Sequence, residues 1–117
     1  MELKYKIWLE ADGKQVFGDG VYRLLVLVEK HGSLNQAAQA EKMSYRQAWG
    51  KIKRIEDRLK IKLLERRKGG ESGGGAILTP QGRMFVEVYG QMLEDMNKLL
   101  GLVSKKLENL CIGDLNA

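Results

Sequence analysis

The chain has 117 residues, room for one domain with a modest core. Hydrophobic residues make up 44% and charged residues 30%, which excludes a disordered chain, and no apolar run approaches the ~18 residues of a membrane span. A single cysteine, Cys111, excludes an intrachain disulfide and a cysteine-rich zinc site. The first ten residues, MELKYKIWLE, lack the layout of a secretory signal, so a cytoplasmic location is expected.

From the N-terminus, LKYKIWL (3–9) alternates Leu3, Tyr5, Ile7 and Leu9 against Lys4, Lys6 and Trp8, the period of a half-buried strand. ADGK (11–14) carries Asp-Gly, a favoured two-residue hairpin turn, and QVF returns as a short second strand. Gly18-Asp19-Gly20 ends that strand and places Asp19 to cap a helix over 20–31, with Gly32 as its left-handed C-terminal residue. His31, the only histidine, falls in the last turn of this helix. A cation there suits the helix dipole, and with no second histidine it is read as a capping or surface residue.

Ser33 is the expected N-cap of a short helix, LNQAAQAEK, in which Ala37 and Ala38 permit close helix packing. Met43-Ser44 makes a tight corner, and Ser44 caps the next helix, YRQAWGKIKRIEDRLK. KLLERR and AILT then read as two strands on either side of the glycine-rich stretch RRKGGESGGGA (66–76). Thr79 caps a final helix with Pro80 at its first position, where proline lacks only an N–H that would be unpaired anyway. Along this helix, expected over roughly 80–110, Phe85, Tyr89, Met92, Met96, Leu99 and Val103 recur in steps of four and three. The pattern continues through Leu107 and Leu110, as in a seam packed on another helix. Thirty helical residues would extend about 45 Å, longer than the rest of so small a domain, so the expected partner is a second copy of the chain.

The net charge of +5 is unevenly placed. Residues 44–68 hold ten of the twenty cations and three of the fifteen anions, which makes this segment +7 and leaves −2 for the remainder. Local basicity of this kind suits a polyanion partner.

Three short helices, two of them joined by a tight turn, followed by strand–loop–strand, predict a mainly α fold with small β content. It is a winged helix-turn-helix with an N-terminal β-hairpin over 3–17, a helical core over 20–59, a wing over 62–79 and a long C-terminal dimerisation helix. At 100° per residue, Ala48, Ile52, Ile55 and Leu59 form one stripe of the helix over 45–59. The opposite side carries Arg46, Gly50, Lys53 and Asp57, flanked by Gln47 and Arg54. Arg and Gln near the N-terminus of a helix can reach base edges in a major groove, and Gly50 removes bulk where backbone could approach DNA. Asp57 marks an edge to such a contact. Ser33 and Ser44 can offer hydroxyl and N–H groups to phosphates, although plain N-capping accounts for both. Tyr45 and Trp49 lie between the two sides and read as packing residues, with Trp8 a possible neighbour in space.

An enzyme is not expected, and neither is a cofactor or a metal site. The glycine-rich stretch lacks the Gly-Lys-Ser/Thr of a nucleotide-binding loop, since Lys68 precedes its glycines, and no acidic pair or Cys/His pair stands nearby. Flanked by strands, the stretch is read as the tip of the wing, ordered only when DNA is bound.

Residues 32–83 resemble the winged helix-turn-helix of LysR-type regulators. The likeness lies in GSLNQAA, in IKRIE, in the Arg pair after Leu63 and in LTPQG. The segments KIWLE, VFGDG, MSYRQAW and RRKGGESGGGAILTPQGR are similar to the DNA-binding domain of molybdate-responsive, ModE-type regulators. The resemblance implies a homodimer joined through N-terminal strands and long terminal helices, with a recognition helix in the major groove of a palindromic site. It places Ser44, Tyr45, Arg46, Gln47 and Lys51 on the DNA-contacting helix and Arg66, Arg67 and Lys68 entering the wing. Members of that group continue into ligand-binding domains that hold the oxyanion. With 117 residues, molybdate binding is not expected in this chain. The reading is a homodimeric, sequence-specific regulator of transcription on double-stranded DNA, from a bacterium or archaeon. The alternative is a winged-helix interaction module that works with a separate sensor protein.

Overall fold

In the computed structural model, which describes residues 3–67 and 75–116 (side chains through 110), the first regular element is a small hairpin. Strand β1 (Leu9–Ala11) pairs antiparallel with β2 (Lys14–Phe17) across Asp12-Gly13, whose φ angles of 53° and 75° are the doubly positive pair of a tight hairpin turn. The strand expected from Leu3 therefore starts only at Leu9. Alternation alone does not make a strand: β2 is four residues long, and the register ends at Leu9↔Phe17 after a bulge. Among the described residues the ladder does not extend to residues 3–8, and Leu3, Tyr5 and Trp8 stand exposed.

Helix α1 (Asp19–His31) begins one residue before Gly20. Its N-cap is Gly18, without a side-chain cap, so Asp19 is the first helical residue rather than the cap. There its charge still opposes the positive end of the helix. Gly32 ends the helix in the left-handed conformation, its N–H bonded to Val28 O. Ser33 caps α2 (Leu34–Ala40) by accepting from Gln36 N. This helix is two residues shorter than its sequence suggested, because Lys42 turns left-handed (φ 56°) and Met43 N closes back on Ala38 O. Helix α3 (Tyr45–Leu59) follows at once.

The wing consists of β3 (Leu64–Arg67) and β4 (Gly75–Leu78), antiparallel with Leu64 opposite Leu78 and Arg67 opposite Gly75. Its base is tied to the helices. Ala76 N donates to Gly32 O, and Gly75 bridges Ser33, so β4 runs against the turn between α1 and α2. Lys68 and the expected wing tip through Gly74 lie outside the described residues.

The core lies where α1, α2 and α3 meet, with Leu24, Leu25, Val28, Leu34, Ala37 and Ile52 all buried. The two expected small residues, Ala37 and Ala38, are fully buried where α2 packs against α1 and α3. Thr79 caps α4 (Pro80–Asn116) through Gly82 N, and the same hydroxyl donates to Lys62 O. α4 is longer than the roughly 80–110 read from the seam.

The described structure forms two compact units, Ile7–Glu87, and Met1–Lys6 with Val88–Ala117. In the first, Phe85 stacks on Phe17 with ring centroids 5.1 Å apart, so the first residue of the expected intersubunit seam is engaged within its own chain. In the second, Tyr89 is buried at 1% exposure, Met92 and Met96 are half-buried, and Leu99, Val103, Leu107 and Leu110 are exposed.

Candidate nucleic-acid interface

Helix α3 has a built N-terminus. Ser44 Oγ accepts from Gln47 N at 3.1 Å, and Gln47 Oε1 accepts from Ser44 N at 2.9 Å, a reciprocal capping box. The cap fixes the rotamer of Gln47, so any contact its amide makes to a base is made from a pre-set position. Sequence reasoning found Ser44 as the cap but not this second task of Gln47. The signal was available: Ser followed three residues later by Gln.

Below the cap, Ala48, Ile52 and Ile55 are buried and Leu59 is half-buried. The anchored stripe turns Arg46, Gly50 and Lys53 outward and leaves Gln47, Lys51 and Arg54 on the flank, all exposed. A Cβ added at Gly50 would meet nothing within 4 Å, so this position is open on the outer side. Lys53 Nζ stands 3.5 Å from Asp57 Oδ1, an i,i+4 pair that leaves the N-terminal half of the helix the more cationic. Tyr45 is exposed at the first turn. Ser33 does not stand on this surface: it is 4% exposed and its hydroxyl is taken by Gln36 N.

Trp49 is half-buried, and its neighbour is not Trp8 but Arg66, whose guanidinium carbon lies 4.6 Å from the indole centroid. Trp8 instead donates to Glu10 Oε2 at 2.7 Å. The Trp49–Arg66 contact joins α3 to the first strand of the wing and holds one wing cation beside the helix. Arg67 follows on the same exposed strand.

Glu56 is the residue that sequence reasoning missed. It reads as one of three anions in a basic segment, yet it is 3% exposed. Its Oε2 accepts from Leu63 N at 2.7 Å and Leu64 N at 3.3 Å, and Lys62 Nζ stands 4.0 Å from Oε1. A buried carboxylate thus closes the turn between α3 and the wing. The return of β4 to the same base is closed by Gly82, where a Cβ would run into Leu63 O, and by Thr79 N donating to Leu63 O at 3.0 Å. The LTPQG segment is therefore a mechanical unit: Thr79 caps and ties, Pro80 opens the helix, and Gly82 permits backbone contact.

Among the described residues no group of three or more His, Cys, Asp or Glu is placed to hold a metal, and no helix is long and apolar enough to cross a membrane.

The family model described as bacterial regulatory helix-turn-helix protein, lysR family, matches residues 21–83. Molybdenum transport protein ModE of Azotobacter vinelandii is 33% identical over 109 residues, which cover 93% of this chain and 40% of that protein. DNA-binding transcriptional dual regulator ModE of Escherichia coli K12 is 30% identical over 104 residues, covering 89% of this chain and 37% of the relative. The chain thus spans about two-fifths of the length of these relatives. Two solved structures share the fold. The BenM DNA-binding domain in complex with benA site 1 DNA has a TM-score of 0.56 at 22% identity, covering 73% of this chain and 90% of that one. The CbnR DNA-binding domain in complex with DNA has a TM-score of 0.57 at 23% identity, covering 71% and 90%. With its winged helix-turn-helix and its ModE-like sequence, the chain belongs to the lysR family of bacterial regulatory helix-turn-helix proteins.

Proposed function

We propose that this chain is a homodimeric, sequence-specific DNA-binding module of a cytoplasmic transcriptional regulator. In this reading α3 enters a major groove and β3 carries Arg66 and Arg67 to the adjoining backbone or minor groove. The observation that carries it is the sidedness of α3: a capped N-terminus, an apolar stripe sunk in the core, Arg46 and Gly50 turned outward, and Gln47 and Lys51 exposed on the flank. Arg46 is assigned to base edges, because its fork matches guanine O6 and N7. Ser44, Tyr45, Lys51, Lys53 and Arg54 are assigned to groove walls and phosphates, together with Lys68. Ser33 is left as a cap.

The proposed dimer joins the exposed stripe Leu99, Val103, Leu107 and Leu110 of two α4 helices, and the N-terminal residues of two chains, where Leu3 and Tyr5 are exposed. The names of the relatives refer to molybdenum and transcription. Only the second is carried to this chain.

Fluorescence anisotropy with genomic fragments and random duplexes tests the reading. Expected are tighter binding to a subset of fragments and a steep loss between 50 and 200 mM salt, about 10³-fold or more for six or more phosphates neutralised. No binding to any fragment at the lower salt would leave the interaction-module reading in its place.

A further inference from the structure

Beside the outward side of α3, about 100° round the helix by its 3.6-residue turn, a different strip of cations faces the hairpin and the start of α1. Lys51, Arg54 and Arg58 line a pocket of about 220 Å³ there, together with Gln15 and Gly20. Steps of three and four residues stack the three side chains along one edge of the helix. Arg58 is tethered, donating to Gln15 O at 2.7 Å. Lys51 and Arg54 are exposed, and among the described residues neither has a carboxylate within ion-pair distance. Like charges collected in one concavity repel one another until an anion enters.

The opposite wall is shaped to admit an anion. Gly20 leaves the entrance clear: the Cβ it lacks would stand 4.0 Å from Lys51 Nζ. The N-cap of α1, Gly18, makes no side-chain cap hydrogen bond, and the positive end of the helix dipole adds to the field. Asp19, in the same turn, has an interaction of its own and does not line the pocket. The carboxylates Asp12 and Asp57 line a separate groove on the far side of Arg54 and Arg58.

We infer that this pocket seats a tetrahedral oxyanion of the phosphate class. Two guanidinium groups and an ammonium around one concavity match its charge and its several acceptor oxygens. Two sources offer this chemistry. One is a backbone phosphodiester of a duplex whose groove holds α3, which rests on the proposed function. The other is a free inorganic anion, which does not.

The substitution Gly20→Asp tests both sources, because it puts a carboxylate into the pocket at a helix N-terminus where an acidic residue is tolerated. Gly20→Asn is the neutral control of the same shape. The double substitution Lys51→Gln/Arg54→Gln empties the charge instead, at exposed positions, should Gly20→Asp fail to fold. In the duplex arm, the slope of log affinity against log salt becomes shallower by about 0.9 per lost phosphate in Gly20→Asp relative to Gly20→Asn, equally on specific and random DNA. In the anion arm, without DNA, phosphate replacing chloride at constant ionic strength raises the Tm of the wild type and of Gly20→Asn, and the rise is lost in Gly20→Asp. A change in either arm supports the seat and names its source. Unaltered slopes together with unaltered phosphate responses, in Gly20→Asp and in the double variant, overturn it. If the wild type binds no duplex, the functional reading fails on its own, and the anion arm still decides the pocket.

Discussion

Gly50 and Gly82 are the same residue in opposite situations. At Gly50 a Cβ meets nothing, while at Gly82 it would enter the backbone of Leu63. Gly50→Ala is expected to raise stability by up to about 1 kcal/mol, the helix propensity difference, while weakening DNA binding. Gly82→Ala is expected to lower stability by about 1–3 kcal/mol through overpacking. Urea denaturation of both variants, with anisotropy for the first, checks the pair; a Gly50→Ala variant that gains stability and binds DNA unchanged rules out the close approach. Arg46→Ala makes no demand on the fold, since the side chain is exposed. Its expected cost is about 1–3 kcal/mol on a specific duplex, with relaxed discrimination at one base position. Equal losses on specific and random duplexes would move Arg46 from the bases to the backbone.

Among the elements, the helix boundaries were legible wherever a side chain or a glycine enforces them. Ser33, Ser44, Thr79-Pro80 and Gly32 all do so through local hydrogen bonds or a left-handed turn, which depend on neighbours a few residues away. The first strand was misread because alternation reports which way side chains point, whereas a strand also needs a partner, and β2 is too short to supply one beyond Leu9. Glu56 and the Trp49–Arg66 contact were illegible for a related reason. Each joins residues separated by a turn whose path the sequence does not give, and a buried carboxylate and an exposed one look alike in a basic segment. The Trp49–Arg66 contact can be weighed by a double-mutant cycle with Trp49→Leu and Arg66→Met. A coupling of about 0.5–1 kcal/mol in thermal or chemical unfolding is expected for a contact this exposed, and zero coupling would make the ring and the cation mere neighbours.

For the whole molecule, the proposed function makes the long helix and the local charge decide how the chain meets other molecules. Leu99 is 54% exposed and Leu110 61%, with Val103 and Leu107 between them on one side of α4, and a single chain leaves that apolar stripe in water. Leu99→Lys with Val103→Lys is expected to convert a dimer to monomers in sedimentation velocity without loss of helical signal, because neither residue is buried in the single chain. A dimer that persists would relocate the interface. The proposed two-fold symmetry also fixes a spacing: two recognition helices read half-sites about one DNA turn, 34–36 Å, apart. Inserting half a turn of DNA between half-sites rotates them to opposite sides, and affinity should fall toward that of one half-site. The interface takes its chemistry from the heptad-like seam of α4, of which Phe85 also stacks on Phe17 within its own chain.

The wing has a consequence for how this protein can change over time. Both its ends are pinned: Glu56 and Thr79 hold the residues where β3 begins and β4 ends, and Ala76 N ties β4 to Gly32. Those bonds do not depend on how many residues separate Arg67 from Gly75. Lengthening a closed loop costs entropy only logarithmically, about 0.6 kcal/mol for each doubling. Insertions and deletions between the two strands can therefore accumulate at little expense to folding, while the reading helix stays where its cap and stripe fix it. On the proposed function, the reach of the wing along a duplex and the bases read by α3 would thereby be separable inheritances, free to drift independently in descendants of this chain.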